Sequence, residues 1–320
     1  MQVLPLDPAM LPELYRIFVA AYAEIPGPPM TLKELEQVLL VPDPAELREA
    51  WVTDGGWYSL RCPTTDNTHL AILFPFCVLP EKRRQGVGSA LFAHASARAK
   101  ELGRTTINAS AVAGSAGDAF LTSLGAEVGL QEARRLLDLS QVDWPAWERL
   151  RDETAAAARG YTLERLPSRI PDALMADMAV LMNGMNDAPL DGLDREDEVW
   201  TPERFAERQE RELAMGWRFS NVLARHNATG TPAAFTAISV SPERQGGWAH
   251  QNDTVALREH RGHRLGLLVK LDNALQLREL EPDVKHVVTW NAESNAHMLA
   301  VNERMGFRLL DRWGARQLHL

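Results

Sequence analysis

The fold is decided by the stretch Thr254-Val255-Ala256-Leu257-Arg258-Glu259-His260-Arg261-Gly262-His263-Arg264-Leu265-Gly266 and by the residues that follow it to 307. An apolar strand leads through a basic, glycine-containing turn into a helix predicted over residues 267–278. A β-branched strand ending at Trp290 and a second helix ending at Met305-Gly306-Phe307 come next. Strand alternation and helical spacing in this order predict one complete βαβα unit.

The basic turn has the chemistry of an anion site. The first backbone N–H groups of a helix lack partners within the helix, and the helix dipole favours negative charge at that end. A phosphate or pyrophosphate would suit such a turn. The alternative is an ordinary strand-to-helix connection with a solvated basic patch, and the turn alone does not choose between the two.

The N-terminal half repeats the pattern. Residues 70–79 form an apolar strand, Pro80-Glu81-Lys82-Arg83-Arg84-Gln85-Gly86-Val87-Gly88 is a basic glycine turn, and residues 89–102 are predicted as a helix. A strand and a short helix follow. The interval from Gly88 to the closing Gly125 is 37 residues, against 40 residues from Gly266 to Gly306. The chain is therefore predicted to contain two copies of one domain.

These motifs resemble those of a known family. Arg83-x-x-Gly86-x-Gly88 matches the Gln/Arg-x-x-Gly-x-Gly/Ala pyrophosphate loop of the GCN5-related N-acetyltransferase (GNAT) superfamily. Asn295, followed eleven residues later by Gly306-Phe307, resembles that family's second signature. Two copies in one chain resemble the tandem type typified by mycothiol synthase. The resemblance implies two tandem GNAT folds, each an α/β domain with a central mixed, mostly antiparallel β-sheet flanked by helices, and acetyl-CoA as cosubstrate.

Both copies depart from the family pattern. In the N-terminal copy the family's Asn position falls on Gly114 and its usual Tyr falls on Leu121. In the C-terminal copy Arg264 replaces the middle glycine, which the loop tolerates if that residue needs only helical backbone angles. Asn302 replaces the Tyr there, either as a polar substitute or as a tolerated surface residue. That Tyr often protonates the departing CoA thiolate in the family, so either the thiolate leaves without this acid or one half is idle.

The resemblance implies cofactor-binding residues in both copies. In the C-terminal copy they lie on the strand whose edge pairs with pantetheine, in the basic turn, and at the start of the last helix, where Asn295 could also be explained as a helix cap alone. The cofactor-binding candidates are Val255, Leu257, Arg261, Gly262, His263, Arg264, Leu265, Gly266 and Asn295, with Arg83, Arg84, Gln85, Gly86, Val87 and Gly88 in the N-terminal copy.

The catalytic candidates are His250, Asp253 and Asn302. The acceptor needs a base or a water relay, because an alkyl ammonium with a pKa of ~10 is mostly protonated at neutral pH. The family's base commonly lies on the fourth strand, where the matching residue is His250, although a histidine at a strand edge is more often a surface residue. Asp253 is the second candidate, but strand alternation puts it on the opposite face unless a β-bulge intervenes.

Composition argues against several classes of function. The 320 residues suit two domains of roughly 150 residues each. A formal charge of −9 and a pI near 5.5 argue against nucleic-acid and anionic-membrane partners. Two cysteines, Cys62 and Cys77, no signal-peptide pattern and no long apolar run predict a cytoplasmic protein. No His-x-x-x-His or Cys-x-x-Cys spacing occurs, so no metal is expected.

The predicted domains are 1–140, an N-terminal GNAT-like domain that is either intact or degenerate, 141–159, a helical linker, and 160–320, a C-terminal GNAT domain that is the catalytic candidate. An acidic segment, residues 183–198, falls where the family forms part of its acceptor pocket. It is either an acidic rim that attracts an amine or, as charge runs more often are, a solvated loop. It is longer than its N-terminal counterpart, residues 25–29, which favours the C-terminal domain as the catalytic one.

The sequence thus predicts an N-acetyltransferase that moves an acetyl group from acetyl-CoA directly to the primary amine of a small molecule in the C-terminal domain. One alternative is acetylation of a protein or peptide. The other is a catalytically silent CoA-binding or structural protein, which the missing Tyr motivates. Acetyl-CoA and a small-molecule amine are the expected partners, and a monomer or a homodimer is the expected assembly.

Overall fold

The computed structural model describes residues 2–243 and 245–320 and divides the chain into two compact units. The N-terminal unit comprises residues 1–132, 190–197 and 311–320, and the C-terminal unit comprises residues 133–189 and 198–310. The sequence-based boundaries near 140 and 160 assumed one continuous segment for each domain. In the structure each unit instead draws on separate segments, and the last strand of the chain contributes to the N-terminal unit.

The first part of the chain contains a short strand, two helices, three antiparallel strands and then a βαβα unit. The elements are β1 (Leu4–Pro5), α1 (Leu11–Tyr22), α2 (Leu32–Leu40), β2 (Glu46–Thr53), β3 (Gly56–Pro63), β4 (Leu70–Val78), α3 (Val87–Glu101), β5 (Thr106–Val112) and α4 (Ala116–Ser123). Helix α2 begins at a capping box in which the Thr31 hydroxyl accepts from the Glu34 N–H and the Glu34 carboxylate accepts from the Thr31 N–H.

The second part repeats the order after two connecting elements. The elements are β6 (Glu127–Asp138), α5 (Trp144–Ala157), β7 (Tyr161–Leu166), α6 (Met175–Asn183), α7 (Pro202–Ala214), β8 (Arg218–His226), β9 (Pro232–Val240), β10 (Trp248–Ala256), α8 (Leu265–Leu280), β11 (His286–Ala292), α9 (Ala296–Arg304) and β12 (Arg308–His319). Helix α5 lies inside the predicted linker, and its Trp147 packs in the same buried cluster as Leu271 and Leu277 of α8.

The sheet of the N-terminal unit runs β1-β2-β3-β4-β5-β12, and that of the C-terminal unit runs β6-β11-β10-β9-β8-β7. The pair β4 and β5 is parallel in the first, and the pair β10 and β11 is parallel in the second. The pairs β1–β2, β2–β3, β3–β4, β5–β12, β7–β8, β8–β9 and β9–β10 are antiparallel. Each unit is therefore a mixed, mostly antiparallel sheet flanked by helices, which confirms the predicted fold class.

Two of the apolar clusters on the sheet of the C-terminal unit mark its two faces. One joins α5, α8 and α9 to Ile238, Ala249 and Val287 of the strands. The other joins α6 and α7 to Ala237 and Val255. Because neighbouring strand residues point to opposite faces, these clusters define an α8/α9 face and an α6/α7 face of this sheet. In the described part of the chain, no helix is long and apolar enough to cross a membrane.

Candidate functional site

The parallel strands β10 and β11 separate partway along their length. Their register runs from Trp248 opposite His286 to His250 opposite Val288. Just past that point the pairing of β10 with β9 shifts by one residue between Gln251 and Thr254, which places a β-bulge at Asn252 and Asp253. A bulge leaves backbone groups without ladder partners and turns side chains to a new face. The strand therefore offers both a gap and polar backbone groups at one place.

The bulge brings the two base candidates to the same face of the sheet. His250 lies opposite Ser239 on β9, and Asp253 lines a cleft together with Ala237 on the same strand. Residues 237 and 239 share a face because strand side chains alternate. The condition set from the sequence is met: a bulge intervenes, and the side chains of His250 and Asp253 both belong to the α6/α7 face.

Aromatic side chains surround His250. Its ring is stacked on the Trp290 ring with 6.1 Å between centroids and an angle of 5° between the planes. The Trp217 ring lies edge-on with its centroid at 6.3 Å. Trp290 is itself 37 % exposed and has the guanidinium of Arg134 over its ring at 5.5 Å. The imidazole thus packs against two indole rings, parallel to Trp290 and inclined to Trp217, at the place where the strands separate.

A cleft on the α6/α7 face ends at Asp253. The Asp253 carboxylate lies 3.3 Å from Nη2 of Arg208 on α7, and Arg208 Nε donates to Glu212 at 3.1 Å. Burial disfavours the charged guanidinium, but the two carboxylates outweigh it and raise the pKa of Arg208. The cleft is lined by Ser168, Ile170, Phe205, Arg208, Gln209, Glu212, Phe219, Asn221, Phe235, Ala237, Asn252 and Asp253.

Both glycine turns have the same backbone conformation. In the N-terminal loop, residues 83–88, Arg84 has φ +61° and Gly86 has φ +86°. In the C-terminal loop, residues 261–266, Gly262 has φ +85° and Arg264 has φ +57° with ψ +22°. The second and fourth positions are left-handed in each loop, and each loop has a glycine at one of them and an arginine at the other. The condition set for Arg264, that it needs only right-handed helical angles, is therefore not met.

This repeated conformation turns successive N–H groups toward one concave surface, the arrangement that binds anions in backbone nests. A helix of more than ten residues starts at the fifth residue of each loop, so its first N–H groups and its dipole face the same space. A Cβ added at Gly86, Gly262 or Gly266 would meet no atom within 4 Å. The residues present therefore fit a pyrophosphate group at both loops.

The side chains of the two loops differ in their exposure and in the contacts that they already make. Val87 and Leu265 are each 2 % exposed and pack in the core, so their contribution is limited to their backbone N–H groups. The Gln85 amide donates to the Glu81 carbonyl at 2.7 Å. The His263 ring lies 5.3 Å from the Tyr161 ring. Arg83 donates a long bond of 3.4 Å to the Ala21 carbonyl.

One acidic side chain forms ion pairs with two arginines at the C-terminal loop. Asp187 accepts from Arg261 Nη2 at 2.7 Å and from Arg258 Nε at 2.8 and 2.9 Å. The hydrogen bond from Arg258 holds the pKa of Asp187 below its usual value, and Arg261 adds to this effect. Asp187 belongs to the acidic segment 183–198, whose residues 190–197 fall instead in the N-terminal unit.

The remaining predicted cofactor residues are placed as follows. Val255 and Leu257 bury their side chains in the α6/α7 cluster, so any contact with a ligand there would involve the backbone. Asn295 caps α9 by accepting from the Met298 N–H at 3.1 Å. Capping accounts for this asparagine, and its role toward a cofactor remains a prediction.

Asn302 is fully buried, so the alternative of a tolerated surface residue is wrong. Its Oδ1 accepts from Lys270 Nζ at 2.7 Å, and its Nδ2 donates to Asn291 Oδ1 at 2.6 Å. The motif comparison singled out neither Lys270 nor Asn291. A signal was present in the sequence, since Lys270 is a lone cation within the apolar run Leu267-Leu268-Val269-Lys270-Leu271.

The corresponding place in the N-terminal unit is filled differently. Aligning the two loops puts Pro75 of β4 where β10 has Asp253, and the register between β3 and β4 also shifts here, between Tyr58 and Leu60. Proline has no N–H to offer at such a shift. The Phe120 ring lies 3.5 Å from the Cβ position of Gly88 and is stacked on Phe76 at 5.7 Å. Aromatic side chains therefore occupy the space beside the N-terminal loop.

No group of three or more His, Cys, Asp or Glu side chains is placed to hold a metal ion within residues 2–243 and 245–320.

Scans of the sequence against protein-family models and against curated proteins find no match. Solved structures, however, are similar over the whole chain. A tandem GNAT protein from the clavulanic acid biosynthesis pathway is 29% identical, with a TM-score of 0.82 over 99% of this chain and 98% of that chain. A GCN5-related N-acetyltransferase from Sphaerobacter thermophilus is 15% identical, with a TM-score of 0.69 over 99% and 95% of the two chains. The glucosamine N-acetyltransferase region of a fungal multi-domain β-N-acetylglucosaminidase is 14% identical, with a TM-score of 0.73 over 99% of this chain and 38% of that chain.

Proposed function

Since the chain belongs to the GNAT superfamily as a tandem-domain member and is an acyltransferase, we propose that its C-terminal half transfers an acetyl group from acetyl-CoA to the primary amine of a small molecule. The main observation that supports the C-terminal half as the catalytic one is the bulge at Asn252 and Asp253, at the point where β10 separates from β11. Backbone N–H groups there are suited to polarise a thioester carbonyl. The N-terminal counterpart has Pro75, which lacks an N–H, and the Phe120 ring beside Gly88.

The C-terminal loop is the proposed site for the pyrophosphate of acetyl-CoA. Its open concave surface faces the N-terminus of α8, and Arg261 and Arg264 add positive charge. Acetyl-CoA supplies the activated acyl group when bound. The chain's own residues hold the phosphates, align the thioester with the strand gap and limit the access of water.

His250 is the proposed general base, acting directly or through a water molecule. It lies on the face of the cleft, at the last paired position of β10, and a neutral imidazole accepts a proton near physiological pH. The carboxylates of Asp253 and Glu212, on either side of Arg208, make the cleft polar and suited to a cationic amine. A small-molecule acceptor agrees with the similar tandem GNAT protein, which comes from the biosynthesis pathway of a small molecule, clavulanic acid.

Calorimetric titration of acetyl-CoA into the wild type and into two variants, Gly86→Glu and Gly266→Glu, tests which loop binds. Each new carboxylate repels pyrophosphate at its own loop. A Cβ at Gly86 or at Gly266 meets no atom within 4 Å, but only Gly86 has a positive φ, so circular dichroism must show that Gly86→Glu keeps its fold. Loss of binding only in Gly266→Glu, with acetylation of an amine panel by the wild type and by Gly86→Glu, is the expected result. Loss only in Gly86→Glu would overturn the choice of half.

A further inference from the structure

Three polar side chains, two of them fully buried and one half-buried, are linked in the C-terminal unit, outside the cleft and the loop. Lys270 of α8 donates to Asn302 of α9, and Asn302 donates to Asn291 of β11, with distances of 2.7 and 2.6 Å. Lys270 is 1 % exposed and Asn302 is 0 % exposed. The Lys270 ammonium also lies 5.1 Å from the centroid of the Phe307 ring. We refer to Lys270, Asn302 and Asn291 as the buried polar chain.

The direction of these hydrogen bonds is fixed by the lysine. Lys270 Nζ donates to Oδ1 of Asn302, so the NH2 group of Asn302 is turned toward Asn291. Asn291 then accepts through its oxygen, which leaves its own NH2 group as the donor at the end of the chain. This assignment follows from the bonding pattern alone. The buried polar chain therefore ends in hydrogen-bond donors on β11.

Asn291 lies on the part of β11 that has left β10. The last paired residue of β11 is Val288, three positions earlier, and Asn291 is half-buried, whereas the other two members are closed to solvent. Asn302 occupies the sequence position at which the family has its thiolate-protonating Tyr, four residues before the closing Gly306. Asn302 therefore stands at the sequence position of that Tyr, and the chain ends at Asn291 on the separated part of β11.

The N-terminal copy shows that the fold does not require this chain. Counting from the loops, the strand starts and the closing glycines, the matching residues are Phe92 for Lys270, Ala111 for Asn291 and Leu121 for Asn302. All three are apolar, and Ala111 and Leu121 pack in one buried cluster. The same positions are therefore filled without any polar group in a domain of the same architecture.

Keeping a lysine at this position works against stability. Burial lowers the pKa of Lys270 to about 7, and no neighbouring charged group contributes to that change. The nearest acidic residue along α8, Asp272, is bound to Arg165 and Arg151. A buried lysine without an acidic partner among its hydrogen bonds, at a position that the fold fills with an apolar residue in the other copy, points to a role in function.

We propose that the buried polar chain presents the Asn291 amide as a hydrogen-bond donor to the sulfur of the departing CoA, in place of the family's Tyr. Asn291 is the residue that contacts the substrate, and Lys270 and Asn302 are positioning residues. This inference rests on the proposed function in the C-terminal half.

The step balances without a further reactant. The thioester C–S bond breaks as the C–N bond forms, the sulfur keeps the electron pair, and the attacking nitrogen loses its proton to the base on the α6/α7 face. The NH2 group of Asn291, which is held in place by the hydrogen bonds from Asn302 and Lys270, stabilises the negative sulfur until water protonates it.

The test uses Asn291→Ala, Asn302→Leu and Lys270→Met in the full chain. The first two install the residues of the N-terminal copy, and Phe92→Met is a matched control at the position equivalent to Lys270. We expect kcat to fall about 100-fold in Asn291→Ala and about tenfold in the other two, with KM for acetyl-CoA changed less than about threefold. Phe92→Met should keep the wild-type kcat.

A second readout does not depend on turnover. Titration of CoA near pH 8 in two buffers of different protonation enthalpy counts the protons released on binding. A site that stabilises the thiolate releases protons from the CoA thiol, and the three variants should lose this release while Phe92→Met keeps it.

The outcomes separate the two proposals. Unchanged kcat and unchanged proton release in the folded Asn291→Ala variant would overturn the role of the buried polar chain, even where Gly266→Glu abolishes cofactor binding. Intact binding in Gly266→Glu would instead overturn the proposed function itself. Asn291 is only half-buried, so its truncation decides the matter if Lys270→Met or Asn302→Leu fails to fold.

Discussion

Lys270→Met is expected to stabilise the protein near neutral pH and to destabilise it in alkali. An unfolded lysine keeps its proton up to a pH of about 10.5, whereas burial lowers the pKa of Lys270 to about 7 in the folded chain. Between these values the unfolded state holds one proton more than the folded state, so the stability of the wild type rises with pH. Below pH 7 both states are protonated and the full cost of the buried charge is present.

The magnitude follows from the size of the pKa difference. A lowering from 10.5 to about 7 corresponds to about 5 kcal/mol at 1.4 kcal/mol per pH unit. Methionine removes this cost but leaves Oδ1 of Asn302 without its donor, which costs about 1–3 kcal/mol. Lys270→Met should therefore be more stable than the wild type by about 2–4 kcal/mol at pH 6.5, and less stable by about 1 kcal/mol near pH 10.

Urea unfolding of both proteins at pH 6.5, 8 and 9.5, followed by tryptophan fluorescence, measures this difference. Groups other than Lys270 titrate alike in the two proteins, so they cancel when the free energies of unfolding are subtracted. Phe92→Met serves as the control, because it alters the matching helix without a titratable group. A difference between Lys270→Met and wild type that stays constant across this pH range would refute the account of Lys270 as a buried cation.

Two further predictions concern the C-terminal loop. Asp187→Asn should tighten acetyl-CoA binding about two- to fivefold in calorimetry, because Arg258 and Arg261 lose a competing carboxylate, and unchanged affinity would mean that these arginines do not meet the phosphates. Gly262→Ala should lower the free energy of unfolding by about 1–2 kcal/mol, whereas Gly266→Ala should change it by less than about 0.5 kcal/mol. Both positions have open space around the added Cβ, but only Gly262 has a positive φ, so equal effects on denaturant unfolding would contradict this explanation.

The architecture could be predicted from the sequence because it depends on patterns along the chain. Alternating strands, basic glycine turns and helical runs recur in the same order in both halves, and they gave the two-domain α/β fold. Which segments of the chain make up each unit could not be predicted in this way. Whether residues 311–320 belong to the N-terminal or the C-terminal unit is decided by strand pairing between residues far apart in sequence, such as Leu318 with Ile107.

In the candidate site, too, features that follow from residue spacing could be predicted, and features that depend on three-dimensional contacts could not. The loop residues were found from their spacing, whereas the left-handed conformation of Arg264 was not, because arginine rarely adopts it. The relation between His250 and Asp253 depended on a one-residue bulge that strand periodicity cannot reveal. Lys270 and Asn291 were missed because their partners lie on other elements, so only the packing of α8 against β11 and α9 brings them together.

The two copies in one chain act as controls for each other. Both halves keep the left-handed residues of the loop. Either an anion site or the geometry of the turn itself would explain this shared feature. The C-terminal half has a bulge in which both residues carry an N–H, and it has the buried polar chain, whereas the N-terminal half has Pro75, Phe92 and Leu121 at the matching places. Because both halves fold to the same architecture, these differences are not demanded by stability. They support the proposal that the C-terminal half carries out acyl transfer, and the variants in each half test that assignment.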